Sequence, residues 1–234
     1  MGEMTMPAMP GGSTMSTTWM PMPGETWPGA AASFLAMWVV MMVAMMLPSL
    51  VPMLWRYRLA VGSTGRTGEA RLACLTVLVG VGYFFVWTLL GVAAYPLGAT
   101  LAAIAMRQPA LARAAPIAAG VVVLVAGSLQ LTAWKARQLA CCREAPGRGR
   151  VLQADATTAW RHGLRLGLQC SRCCAGLMAI LLVIGVVDLR AMALVTAAIT
   201  AERLAPAGER VARAVGGVVV GTGLLLIARA AGLA

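Results

Sequence analysis

Apolar residues fall in long blocks along this chain, and the polar positions between them are short and mostly basic. The first block covers residues 32–55, with Pro48 and Pro52 toward its far end. The second covers 72–95 and is stopped by Pro96. Residues 97–106 are apolar but too short to span, which predicts an interfacial or re-entrant piece. A third block runs over 116–134 and carries Gln130 and Thr132. A polar, basic segment, 135–165, holds the only histidine, His162. Further blocks follow at 169–189, at 190–204 (short and weakly apolar) and at 211–227, where Gly216, Gly217, Gly221 and Gly223 allow close helix packing. About 20 apolar residues at about 1.5 Å each cross a hydrocarbon core of about 30 Å. The pattern therefore predicts an all-α polytopic membrane protein, a helical bundle of five or six transmembrane helices.

Composition supports that solvent. Of 234 residues, 60% are hydrophobic and only 12% charged, too few to coat a soluble surface. The net charge of +11 does not point to nucleic acid, because the cations form no stripe interleaved with aromatics. They gather between apolar blocks instead. With the N-terminus outside, all of the 19 Lys and Arg residues except Arg107, Arg113, Arg190 and Arg229 lie on the inner side. That is the positive-inside pattern. It predicts a bacterial inner-membrane protein, multi-pass in the lipid bilayer, with both termini extracytoplasmic. The organisation expected is a disordered tail, 1–31, and a transmembrane domain, 32–234. The tail is rich in Pro and Gly and carries Met1, Met4, Met6, Met9, Met15, Met20 and Met22. It has no basic start of the kind a secretory signal needs.

The candidate chemistry is sulfur. Cys170, Cys173 and Cys174 share one helix face at spacings of three and four, and Met178 continues it one turn on. Thiolates suit copper(I) and zinc. Arg165 and Arg172 stand nearby, and Arg172 is expected to snorkel. Cys141 and Cys142 map to the same membrane surface. As metal ligands they compete with a juxtamembrane acylation site. In the first block Met37, Met41 and Met45 recur on one face, with Met42 and Met46 beside them; thioethers bind copper(I) without a proton to lose. Ordinary packing by methionine is the alternative. Asp188 and Glu202 sit near expected helix ends, where an interfacial role is the plain expectation. No phosphate-binding loop, zinc-protease helix or carboxylate pair is present in the sequence, so no enzyme is expected.

These residues carry a resemblance. The run Met41-Met42-Val43-Ala44-Met45-Met46-Leu47-Pro48-Ser49, then Tyr83, Trp87, Gln130-Leu131-Thr132, Lys135, Cys142-Arg143, Gly163, Gly167, Cys170, Cys173-Cys174-Ala175-Gly176-Leu177-Met178 and Glu202-Arg203 resemble a bacterial family of predicted metal-binding integral membrane proteins. The likeness covers about residues 34–225. Ala175 stands where an aromatic is expected, Asp188 where Asn is, and Arg203 where Lys is usual. The resemblance implies a bound metal without fixing which.

The leading expectation is capture, transfer or delivery of copper(I) through the metal ligands Cys170, Cys173, Cys174, Cys141, Cys142, Met178, Met41, Met45 and Met46, with zinc as the second candidate. A metallochaperone or a membrane complex is the partner to expect, and no nucleic acid. Two rival readings stand beside it: a thiol redox protein that cycles disulfides, and a structural or assembly subunit whose cysteines are incidental.

Overall fold

A computed structural model describes residues 26–62, 68–143, 153–185 and 188–232. The tail methionines before residue 26 lie outside the described residues, as do Arg66, Arg148 and Arg150. The described residues form seven helices: α1 (Trp27–Gly62), α2 (Glu69–Arg107), α3 (Pro109–Gln130), α4 (Ala133–Arg143), α5 (Ala156–Ile184), α6 (Leu189–Leu204) and α7 (Gly208–Ala230). Five of them, α1, α2, α5, α7 and residues 113–130 of α3, are long and apolar enough to cross a membrane.

Several expected boundaries move. Helix α1 starts at Trp27, inside the stretch expected to be tail. Helix α2 runs through Pro96 to Arg107, so residues 97–106 are not a separate piece. Proline removes one backbone donor and crowds the preceding turn. The apolar run on both sides keeps the rest of the ladder. The third block starts earlier, at Pro109, where proline occupies the first turn. It ends at Gln130, short of Trp134. There the chain breaks over Leu131 and Thr132, and Thr132 opens α4 by accepting from the Lys135 backbone N–H at 3.4 Å. The basic segment after it is therefore partly helical, through α4 and through the first turns of α5, which starts at Ala156 and not near residue 169. Asp155 caps α5, accepting from the Thr158 N–H at 2.9 Å, and this hydrogen bond holds its carboxyl below the usual carboxylate range. Helix α6 has 16 residues, about 24 Å, and does not reach the length of a span.

Helix directions follow from which residues meet. Trp38 of α1 donates to the Trp87 carbonyl of α2 at 2.9 Å, while Tyr57 and Val61 share a cluster with Leu72 and Leu75, so α1 and α2 are antiparallel. Gly163 of α5 packs on Val79, and Gly167 on Tyr83 and Val86, so α2 and α5 run parallel. Gly120 meets Ile227 and Gly216 meets Gln130, so α3 and α7 are antiparallel. Ala126 of α3 meets Gly176, and Lys135, just past the end of α3, meets Cys173, so α3 runs antiparallel to α5. The start of α1 and the end of α7 thus lie at the same end of the bundle.

Burial is inverted relative to a soluble fold. Val40, Val51, Val77, Leu97, Leu101 and Val218 are exposed on the outer faces. Ser49, Gln130, Lys135, Glu202 and Arg203 are buried. Exposed apolar surface on that scale needs a covering phase.

Candidate functional site: a buried sulfur cluster

The main core brings together Met41, Met42, Met45 and Met46 of α1, Tyr83 and Trp87 of α2, Cys142 of α4, and Cys170, Cys173, Cys174 and Met178 of α5. The three-and-four spacing on α5 turns its cysteines inward, toward α1 and α2. They reach those helices because Gly82, Gly163 and Gly167 let α2 and α5 approach closely. A Cβ on Gly163 would collide with the Val79 carbonyl, and one on Gly167 would lie 2.9 Å from the Tyr83 carbonyl.

Cys170 is the hub. Its Sγ is 3.8 Å from Cys174 Sγ and 4.0 Å from Met46 Sδ. Tyr83 donates its hydroxyl to the Cys170 sulfur at 2.9 Å, and Arg203 donates Nη1 to it at 3.2 Å. The same Nη1 donates to Ser49 Oγ at 3.0 Å, and Ser49 in turn donates to the Met46 carbonyl at 3.1 Å. Two donors aimed at one sulfur form an environment that suits a thiolate. Cys173 interacts with both Cys142 and Cys174, and Cys142 also donates to the Gln169 carbonyl at 3.3 Å.

A second polar group adjoins the first. Lys135 and Glu202 form a salt bridge of 2.8 Å with side chains only 3% and 2% exposed. Gln130 donates to the other Glu202 oxygen at 2.9 Å, and Lys135 donates to the Cys173 carbonyl at 2.7 Å. The break between α3 and α4 places Lys135 here. A cavity of about 410 Å³ opens at that break, lined by Gln130, Thr132, Lys135, Glu209 and Arg213 among others.

Of the expected ligands, Cys170, Cys173, Cys174, Cys142, Met178, Met41, Met45 and Met46 are all buried in the one core, and Cys141 faces outward. The two cysteine clusters therefore meet through Cys142 alone, since adjacent helical positions point about 100° apart. Met37 is also exposed, so the inward methionine face starts at Met41. Arg172 is exposed, as its position on α5 requires. His162, the chain's single histidine, stacks on Tyr57 with ring centroids 5.3 Å apart, away from the sulfurs. Asp188 caps α6 at an exposed position. Glu202, expected at an interface, is instead buried against Lys135, because it continues the inward face of α6 set by Val195 and Ile199.

The donor set can be tested against a soft metal. Among the described residues, no three His, Cys, Asp or Glu side chains form a group that could hold an ion. Two thiolates about 2.3 Å from one ion lie about 3.8 to 4.0 Å apart at tetrahedral or trigonal angles, so the distance fits either and the number of ligands decides. That matches Cys170 and Cys174, and Met46 adds a thioether on the same sulfur. The cluster is thus better furnished for a low-coordinate soft ion than for a closed four-ligand zinc site.

Comparison with known families bears on the same region. A family model described as PpoB2, copper chaperone, matches residues 35–226. The chain belongs to this copper chaperone family. No curated protein and no solved structure matches it. A copper chaperone family is in keeping with the metal-binding family that the sequence resembles, and the matched stretch includes every buried sulfur residue of the cluster.

Sequence reasoning placed the sulfurs and missed the cations. Gln130, Lys135, Arg203 and Tyr83 appeared among the motif residues without a role, and Glu202 only as an interfacial charge. The signal available was their charge: an ionisable group between apolar blocks is by default a functional-site candidate.

Proposed function

We propose that this protein is an integral membrane copper chaperone that holds copper(I) on sulfur within its helical bundle. The observation that carries this reading is the Cys170, Cys174 and Met46 sulfur cluster, buried beside Arg203 in a chain of the copper chaperone family. Cys173, Cys142, Met41, Met45 and Met178 lie around it as further soft donors. Exchange among several such donors lets an ion move between sites without being released to water. The methionines of the N-terminal tail supply a capture segment, and the inner donors a holding site. The chain carries out no bond-forming reaction on an organic substrate, so the ion is its cargo.

Membrane insertion is supported by five helices of spanning length, by apolar outer faces and by the basic residues gathered toward one end of the bundle. With that basic end in the cytoplasm, both chain ends face outward. Delivery needs a partner that takes copper from sulfur: a metallochaperone or a membrane-bound copper protein.

The test is metal content by mass spectrometry on detergent-purified protein, expressed with copper and zinc supplied. Wild type should carry near-stoichiometric copper. A Cys170/Cys173/Cys174 triple serine variant of normal size-exclusion profile should carry almost none. Zinc lost in place of copper would make the site a structural one. No metal in either protein, together with reversible disulfides after alkylation mapping, would give the chain to thiol redox work instead.

A further inference from the structure

The buried cluster is not electrically balanced by its side chains alone. Lys135 and Arg203 are two cations with side chains withdrawn from solvent, and among the described residues Glu202 is the one carboxylate beside them. Glu202 is committed: one oxygen takes Lys135 and the other takes Gln130. Among the described residues Arg203 has no carboxylate partner. Its Nη1 faces Cys170 Sγ and Ser49, and its Nε is buried with no hydrogen-bond partner. A buried cation left unpaired is costly, and the group against it is a pair of thiols.

Resting on the copper reading above, we propose that Arg203 is a specificity-determining residue that makes the site select a monovalent soft cation over a divalent one. Binding forms two metal–sulfur bonds, to Cys170 and Cys174. The thiol protons leave to solvent, and no electron moves. A monovalent ion on two thiolates leaves a complex of charge −1, which the surplus cation neutralises. A divalent ion on the same two thiolates is already neutral and leaves the Arg203 charge uncompensated. Sulfur affinity alone does not separate these ions, because thiolates also bind zinc well. Charge does, and in a low-dielectric interior it counts for more than in water. The adjoining Lys135–Glu202 pair is neutral as a unit, so it holds the frame without altering the balance. Met46 adds a ligand without charge, which leaves the balance to the two thiolates and Arg203.

The experiment compares silver(I), copper(I) and cadmium(II) binding to the purified full-length protein in detergent, by competition with chelators of known affinity under reducing conditions. Wild type is expected to hold each monovalent ion with at least about tenfold preference over cadmium, after correction for their affinities for a dithiol reference peptide. In Arg203→Gln that preference should collapse, with monovalent affinity falling and cadmium affinity unchanged or raised. Arg203→Lys keeps the charge and should keep the preference; it also shows whether the position tolerates change. Equal losses for both ion classes in Arg203→Gln, or an unaltered preference, would overturn the proposal. So would a wild-type protein that favours cadmium, whatever the variants do. A wild-type protein that binds none of the three ions would instead overturn the copper reading beneath it.

Discussion

At the α2–α5 seam a Cβ on Gly163 would strike the Val79 carbonyl; at the α3–α7 seam a Cβ on Gly223 would lie 2.7 Å from the Leu124 nitrogen. Both seams bring helices together through glycine, as bundles in lipid commonly do. Only the first carries chemistry. Its glycines set Cys170 within reach of Tyr83, and α1 and α6 then close over the sulfur with Met46 and Arg203. The second seam, through Gly120, Gly127, Gly216 and Gly223, packs apolar surface and backbone, and touches the polar group only where Gly216 meets Gln130. Close approach is therefore a framing device. The site arises where a close seam is also faced by helix ends that turn charged side chains inward: Lys135 in the first turn of α4, and Glu202 and Arg203 in the last turn of α6.

The largest effect is expected at the neutral pair beside the sulfurs. Lys135→Met leaves Glu202 buried without its cation and should cost about 3–5 kcal/mol, while the double change with Glu202→Gln should cost clearly less. Denaturant unfolding in detergent measures both. Equal losses for the single and double variants would show that the pair is not coupled.

Next come the seams themselves. Gly163→Val and Gly223→Val should each destabilise by about 1–3 kcal/mol through overpacking. The copper bound per folded molecule should then separate them, falling in Gly163→Val and holding in Gly223→Val. Similar copper loss in both would mean that the α2–α5 seam has no special role in placing Cys170.

The smallest effect lies at the start of α5, where Asp155 caps the helix that carries the cysteines. Its folded pKa is lowered by the Thr158 hydrogen bond. The cap's contribution is therefore present in full above the ordinary carboxylate pKa of about 3.9, and lost as pH falls through the lower folded value. Asp155→Ala should lower the melting temperature at neutral pH, and the difference from wild type should shrink in acid. A difference that stays constant with pH would rule out the carboxylate as its source.

Much of this architecture is legible in the sequence, for stated reasons. Long apolar blocks specify helices without reference to the rest of the chain, so α1 and α7 fall close to their expected ranges, while α5 begins 13 residues before its apolar block, in a polar stretch that pattern alone reads as loop. Spacing on one helix places Cys170, Cys173 and Cys174 on one face. What the sequence does not show is which helices touch. Pro96 reads as a stop, yet the α2 ladder continues past it. The break at Leu131 and Thr132 has no Pro or Gly to mark it, so Lys135 reads as a loop cation when it is a buried one. Glu202 reads as a helix-end charge at an interface and Arg203 as an inner-side cation, because nothing local shows that the last turn of α6 faces the core. Cys141 and Cys142 read alike, and only packing against Gln169 decides that Cys142 joins the sulfurs.

The central claim is copper(I) on sulfur at Cys170 and Cys174 with Met46. X-ray absorption on the copper-loaded protein, wild type against Cys170→Ser/Cys174→Ser, reads it most directly. Wild type should show reduced copper with a sulfur-only first shell of two or three neighbours, and the double variant should retain little metal. A first shell of nitrogen and oxygen in wild type, or full copper retention with an unchanged spectrum in the variant, would contradict it.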